Sequence, residues 1–288
     1  FDQRIMLFHK VLNQFLKIKI KTYEVIPLTF RTGILQFVKN CISLADMIGF
    51  KNNTINHLTG SKYDQSNNKI ESFREINKRV SDNLLSQSIW THTKNSEAWF
   101  KFINNFTNYC ALTSMVGYIY GLGDRHVSNI LISKLDGTLT HIDYGDIFEA
   151  AQIRKKFQER VPFRLTRNMI KAFGPCGYNG QFRIYSEEVI SIIRKNGDIL
   201  KNLLMIFVDS PLIPYNNARP LYINLYNDDI NKDNLKKRVE NRITLKIEGK
   251  DPTIIYLDNK LDHLPKFSVH DHVQKLIKVA TNEYNLAA

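Results

Sequence analysis

The 288 residues carry 40 Lys and Arg against 28 Asp and Glu, for a net charge of +12, with 43% hydrophobic and 24% charged residues. This is the composition of a soluble globular protein with enough chain for a substantial core, in one two-lobed domain or two small ones. No apolar run approaches the roughly 18 residues of a membrane span, the N-terminus lacks a signal-peptide pattern, and Cys41, Cys110 and Cys176 lie too far apart for a disulfide framework or zinc site. The chain therefore reads as intracellular: cytoplasmic, with endomembranes or nucleus open as alternatives. Its cations are scattered through polar stretches, so no dedicated nucleic-acid site is expected.

In chain order, Ile5, Met6, Phe8, Val11, Leu12, Phe15 and Leu16 recur at helical spacing. From Lys19 the period shortens to two. Ile20 to Val25 alternate, Pro27 interrupts, and an apolar run from Ile34 to Val38 follows Gly33, which predicts adjacent strands of a small antiparallel sheet. Ser43 is placed to cap a short helix through Leu44, Met47 and Ile48. Gly49 to Ser72 is polar and reads as a surface insertion. Phe73 to Trp90 is helical by pattern. Ser96 to Tyr120 predicts a long helix burying Trp99, Phe100, Ile103, Phe106, Tyr109, Cys110, Met115 and Val116.

That helix delivers the chain to its chemical centre, Gly121 to Glu149. The short spacing from Asp124 to Asn129 allows one tight loop to aim an acid and an amide into a single cleft. Ile130 to Ser133 and Leu139 to Ile142 flank an Asp136-Gly137 turn, which predicts a β-hairpin folding Asp143 back beside Asn129. Such an Asp and Asn form a hard-oxygen pair suited to Mg²⁺, which keeps several waters and binds nucleotide phosphates. Asp124 is then free for another task. Gly145 is expected to supply a positive φ beside the metal ligand, and Arg125 to pin the loop, to an acid on the plainest reading. Further helices are expected from Thr166, Ser186 and Gly197, the last ending near Val208. A polar linker spans Asn216 to Asp233. Leu235 to Glu248 reads as a basic helix with a solvated face. Val269, Val273, Leu276, Ile277 and Ala280 stripe a final helix.

Gly-Asp-Arg-His-x-x-Asn from Gly123 to Asn129, followed by His-Ile-Asp-Tyr-Gly from His141 to Gly145, resembles the signature of the phosphatidylinositol-3-kinase-like superfamily. Ser114 to Ile119 and Val161 to Arg167 resemble its large phosphatidylinositol-kinase-related protein kinases. Asp146 to Glu149 and Arg154 to Phe157 most resemble the target of rapamycin (TOR) branch. The resemblance implies an α+β, two-lobed kinase fold with an incomplete small β-rich N-lobe (1–40) and a mostly helical C-lobe (41–215). Within the C-lobe it implies a catalytic loop (121–129) and an activation loop (143–167). A polar linker and basic helix (216–255) and a partial FATC element (256–288) follow.

By the same resemblance Asp124 orients and deprotonates a substrate hydroxyl, His126 lies against the transferring phosphoryl group, Arg125 supports the loop, and Asn129 and Asp143 bind Mg²⁺ or Mn²⁺ and thereby ATP. Leu35, Phe37 and Val38 form the hinge that holds the adenine. Asp2 is either a helix-start acid or the partner of an ATP-binding Lys upstream. That Lys and a Gly-rich loop would precede residue 1, so a fragment or truncated product is expected. Protein substrates, a WD-repeat propeller subunit and scaffold subunits are the implied partners. Between Asp143 and Arg160 the acids Asp143, Asp146, Glu149 and Glu159 balance Arg154, Lys155, Lys156 and Arg160, which favours protein over phosphoinositide substrates. A lipid kinase and a non-catalytic fragment remain the alternatives.

Overall fold

One long helix organises the computed structural model, which describes residues 2–29, 32–49, 69–153, 159–209, 232–251 and 266–287. This helix, α5 (Ser96–Ile119), is capped by Asn95, whose side chain accepts from the Ala98 amide. It buries one side at first, through Phe102, Ile103 and Phe106, and every position from Tyr109 to Ile119 after that, as a helix does once neighbours surround it. The expected stripe is corrected at its start. The first turns of α5 lie at the rim of the core, so Phe100 is 62% exposed and Trp99 is half-buried, edge-on to Trp90 at 5.7 Å.

The predicted hairpin is present as β4 (Ile130–Ser133) and β5 (Leu139–His141). With β3 (Cys41–Ser43) on the far side of β4 it makes an antiparallel sheet in the order β3-β4-β5, with Ile42 opposite Ile132 and Leu131 opposite Thr140. The turn of the hairpin docks on α5. The Asn105 amide donates to the Asp136 carbonyl at 2.8 Å. Gly137 has φ +75°, and a Cβ there would lie 2.6 Å from the Phe102 carbonyl oxygen, so this close approach requires glycine.

At the N-terminal end α1 (Asp2–Leu12) buries Ile5, Met6, Phe8 and Leu12. Its Arg4 donates to the Phe207 carbonyl, 3.0 Å away, in the last turn of the later helix α9 (Gly197–Asp209). The strand expected from Lys19 is shorter. The Asn13 side-chain amide grips the Ile20 backbone, donating to its carbonyl at 3.0 Å and accepting from its N–H at 2.7 Å, and the ladder begins only with β1 (Val25–Pro27), antiparallel to β2 (Gly33–Leu35). Pro27 ends β1 rather than interrupting a strand, and Gln36 to Val38 lie outside the ladder.

The remaining elements follow the predicted order with two differences. α2 (Leu44–Met47) carries the expected Ser43 cap. Phe73 to Trp90 is not one helix but α3 (Lys69–Arg79) and α4 (Leu84–His92). α3 ends where Arg167 donates to the Asn77 and Val80 carbonyls. α6 (Ala150–Ile153) and α7 (Arg167–Ala172, capped by Thr166) lead into α8 (Gln181–Lys195). Ser186, expected to start that helix, sits buried inside it and donates to the Phe182 carbonyl at 2.7 Å. Phe163, Phe173 and Phe182 join α7 and α8 beneath α5, with Phe173 stacked on Phe182 at 5.1 Å. α10 (Lys232–Glu248), α11 (Val269–Ala280, capped by Ser268) and α12 (Glu283–Leu286) complete the chain. No described helix is long and apolar enough to cross a membrane. Residues 50–68, the basic run 154–157, the linker at 216–231 and the start of the tail element at 256–265 lie outside the described residues.

Candidate active site

Beyond α5 the chain zips against itself. The amide of Gly123 donates to the Asp146 carbonyl, that of Phe148 to Tyr120 and that of Glu149 to Gly121, at 2.8, 2.8 and 2.9 Å. Gly121 has φ +63°, and a Cβ on it would lie 2.6 Å from the Glu149 nitrogen, so glycine permits this contact. The two segments carrying the candidate acids are thus built as one unit.

Both acids adopt left-handed backbone, Asp124 at φ +56° and Asp143 at φ +60°. Non-glycine residues rarely do so, and surrounding structure must hold them there. Gly145 was expected to carry the positive φ; the turn instead places it on Asp143. Gly145 serves by closeness, because its amide donates to Asp143 Oδ1 at 3.2 Å and a Cβ would lie 3.2 Å from that oxygen. The Asp124 amide donates to Glu159 Oε2 at 3.1 Å.

Arg125 supplies most of the holding. It is 4% exposed, and it donates to the carbonyls of Gly123 at 2.8 Å, Ile142 at 2.8 Å and Asp143. The expected pin is real, but it grips backbone rather than an acid, which fixes the direction of the loop as well as its charge. Its own carbonyl accepts from Arg164 Nε at 2.7 Å. Arg125 also stands over the ring of Tyr144, 5.8 Å from the centroid. Tyr144 is buried and meets His9 of α1 edge-on at 5.7 Å. Burial lowers the His9 pKa to about 3, so the ring is neutral, and its Nε2 lies 3.2 Å from the Tyr120 hydroxyl. α1 is thereby tied to the loop that carries Asp143.

Asn129 is buried, and its Nδ2 donates to the Asp124 carbonyl at 3.1 Å. Its backbone carbonyl accepts from the Ile142 amide at 3.1 Å, and this pairing at the base of the hairpin sets Asn129 beside Asp143. The donor chemistry fits Mg²⁺. The Asn129 amide is oriented through its nitrogen, leaving Oδ1 as a hard-oxygen ligand, and the Asp143 carboxylate is exposed. Mg²⁺ at nucleotide sites takes one or two such protein oxygens and completes its shell with phosphates and water. His126 is exposed, with Nδ1 accepting from the Ser128 amide at 3.2 Å.

The structure brings Asp124, Arg125, Asn129 and Asp143 together, and Leu35, Phe37 and Val38 lie at the exit of β2. Phe37 is 81% exposed and Leu35 55%, while Val38 is half-buried against the core. Asp2 accepts from the Tyr23 hydroxyl at 3.0 Å.

Sequence reasoning missed Glu159, Arg164 and above all Glu149. The Glu149 carboxylate meets Arg242 and Lys246 of α10 at 2.6 and 2.7 Å. The helix read as a solvated basic face therefore buries part of its charge: Lys246 is 3% exposed, and Ile243 and Ile247 beside these cations are core residues. Cations spaced i, i+4 against an apolar stripe were the available signal.

A profile of the family described as phosphatidylinositol 3- and 4-kinase matches residues 2–217. The serine/threonine-protein kinase TOR of Arabidopsis thaliana is 36% identical over 233 residues, covering 74% of this chain and 9% of its own length. The serine/threonine-protein kinase TEL1 of Debaryomyces hansenii is 33% identical over 300 residues, covering 98% of this chain and 10% of its own. The solved Tel1 kinase butterfly symmetric dimer superposes with a TM-score of 0.76 at 27% identity, over 100% of this chain and 12% of that one. The chain spans about a tenth of the length of the curated relatives it matches.

Proposed function

The chain belongs to the phosphatidylinositol 3- and 4-kinase family, and from that premise we propose that it is the catalytic region of a serine/threonine protein kinase related to TOR and TEL1, moving the γ-phosphate of ATP to protein hydroxyls. The observation that carries this reading is the single hydrogen-bonded unit formed by the Gly121–Asn129 loop and the Asp143–Glu149 segment, with Asp124, Asn129 and Asp143 on it. Phosphoryl transfer asks little covalent chemistry of a protein and much positioning. Asp124, on a loop braced by Arg125 and Glu159, orients the substrate hydroxyl and takes its proton. His126, exposed beside it, lies against the phosphoryl group. Asn129 and Asp143 hold Mg²⁺, with Mn²⁺ as a substitute. Bound there, the metal neutralises charge on the phosphate oxygens.

Leu35, Phe37 and Val38 form the adenine-facing hinge in this reading, and Phe37 supplies an aromatic face. Residues 1–40 then belong to the N-lobe, 41–215 to the C-lobe, 216–255 to the linker and basic helix, and 256–288 to the FATC element. Protein substrates are favoured because the relatives matching nearly the whole chain are themselves described as serine/threonine-protein kinases. A propeller subunit and scaffold subunits, as in a TOR-like complex, are the implied partners.

The full-length protein should be offered serine- and threonine-containing peptides and phosphoinositide vesicles side by side with labelled ATP. Label in peptide supports the reading. Label in lipid alone replaces it with a lipid kinase, and label in neither removes it.

A further inference from the structure

The Asp143–Glu149 segment is held at both ends, upstream by the Arg125 side chain and downstream by the Gly121 backbone together with side chains of α10. Upstream, Arg125 grips the Ile142 and Asp143 carbonyls. Downstream stands Glu149, itself left-handed at φ +66°. Its two oxygens take Arg242 NH2 at 2.6 Å, Arg242 Nε at 2.9 Å and Lys246 Nζ at 2.7 Å. Lys246 also donates to the Tyr118 carbonyl at 2.8 Å, in the last turn of α5, where a cation meets the negative end of the helix.

The linkage then runs outward. Arg242 NH1 reaches Asp251 at 3.2 Å, and the other oxygen of that buried carboxylate accepts from the Tyr118 hydroxyl at 2.7 Å. The same hydroxyl lies 3.1 Å from Nε2 of His272, a fully buried residue of α11. Nδ1 of His272 is 3.1 Å from Arg194 NH2 on α8. Glu149, Asp251, Arg242 and Lys246 balance in charge.

Buried ion pairs are poor devices for stability alone, since apolar groups of the same volume serve as well or better. They do fix direction, and here two cations from one face of α10 converge on one carboxylate, whose backbone is hydrogen-bonded to Gly121 of the catalytic loop. We propose that Arg242 and Lys246 are positioning residues. By fixing Glu149 they set the Asp143 turn against the catalytic loop, and through Tyr118 and His272 they make that setting depend on the seating of the terminal helix α11. The inference rests on the assignment of Asp143 as a metal-holding acid.

The test uses the charge-balanced pair Glu149→Gln with Lys246→Met, which leaves Arg242 and Asp251 to neutralise each other, in the full-length protein. The Mg²⁺ concentration for half-maximal phosphate transfer should rise by about 10- to 100-fold, the range seen when partners behind metal ligands are removed, with a smaller fall in kcat. Independently of activity, hydrogen exchange at the Phe148 and Glu149 amides should quicken while α5 exchanges as before. Tyr118→Phe, which removes only the hydroxyl between Asp251 and His272, should move the same two amides in the same direction, and it serves should the pair not fold. An unchanged Mg²⁺ requirement with unchanged exchange overturns the proposal. So does faster exchange throughout the protein, the mark of a merely structural role. A silent wild-type protein whose Phe148 and Glu149 amides still respond sinks the kinase reading and leaves the clamp standing.

Discussion

The catalytic loop and the β1–β2 hairpin hold their apolar and polar groups in opposite ways. Around Gly121 to Glu149 the amides of Gly123, Phe148 and Glu149 are paired, Tyr144 and Ile147 are buried, and Arg125 and Glu149 are tied to carbonyls and to the cations of α10. On the hairpin and its exit, Ile26, Leu28, Ile34, Leu35 and Phe37 are all exposed. The first region carries its own supports within this chain. The second leaves its apolar side chains exposed, so one region is braced by its own chain and the other is not.

The contrast can be broken by truncating one aromatic on each side. Phe106 is fully buried on α5, and Phe106→Ala should cost about 3–5 kcal/mol in urea unfolding, the usual price of a large core truncation. A loss near that of a surface change would mean that α5 is not the centre of the core.

Acid sharpens the same comparison, because the packed core buries the neutral histidines His9 and His272. Burial lowers His9 to about 3, and burial together with Arg194 lowers His272 to about 4. Each folded pKa lies below the ordinary value of 6.5, so the unfolded chain binds the proton first. The stability these rings confer is whole above pH 6.5 and is lost as pH falls from there toward about 4 and 3. Each should add about 1.4 kcal/mol per pH unit to the slope of unfolding free energy between pH 6 and 5. His9→Gln should remove one such contribution, and an unaltered slope would place His9 in water. Glu149 acts in a lower window. Burial raises its pKa, Lys246 and Arg242 more than reverse this, and the result is about 2, so its contribution is lost only below about pH 4.5.

Smaller effects are expected at the margins. Trp99→Ala, at a half-buried site against Trp90, should cost nearer to 1 kcal/mol, the centre of the range for single substitutions. Phe37→Ala should change stability by less than about 0.5 kcal/mol yet weaken ATP binding in the full-length protein. A stability loss comparable with that of Phe106→Ala would abolish the distinction between the two regions.

Local pattern made the centre legible in the sequence. Asp136-Gly137 between apolar runs carries the hairpin, the long apolar stretch carries α5, and Asp124, Asn129 and Asp143 lie close enough along the chain for spacing to bring them together. What stayed hidden depends on distance or on conformation. Nothing local pairs Glu149 with Arg242 and Lys246, and a basic helix looks solvated until Ile243 and Ile247 are seen to turn those cations inward. The positive φ fell on Asp143 and not Gly145 because Arg125 and the zipped backbone hold the aspartate there. Phe100 looked like core because a helical stripe does not show where the neighbouring elements end.

The most direct test of the phosphotransfer assignment is Asp124→Ala in the full-length protein, assayed for γ-phosphate transfer to a serine-containing peptide alongside calorimetry of Mg-ATP binding. Turnover should fall by about 10²- to 10⁴-fold, the worth of a positioned acid–base group, with Mg-ATP affinity unchanged, while Asp143→Ala should abolish the affinity itself. Wild-type turnover in the Asp124→Ala protein would contradict the account.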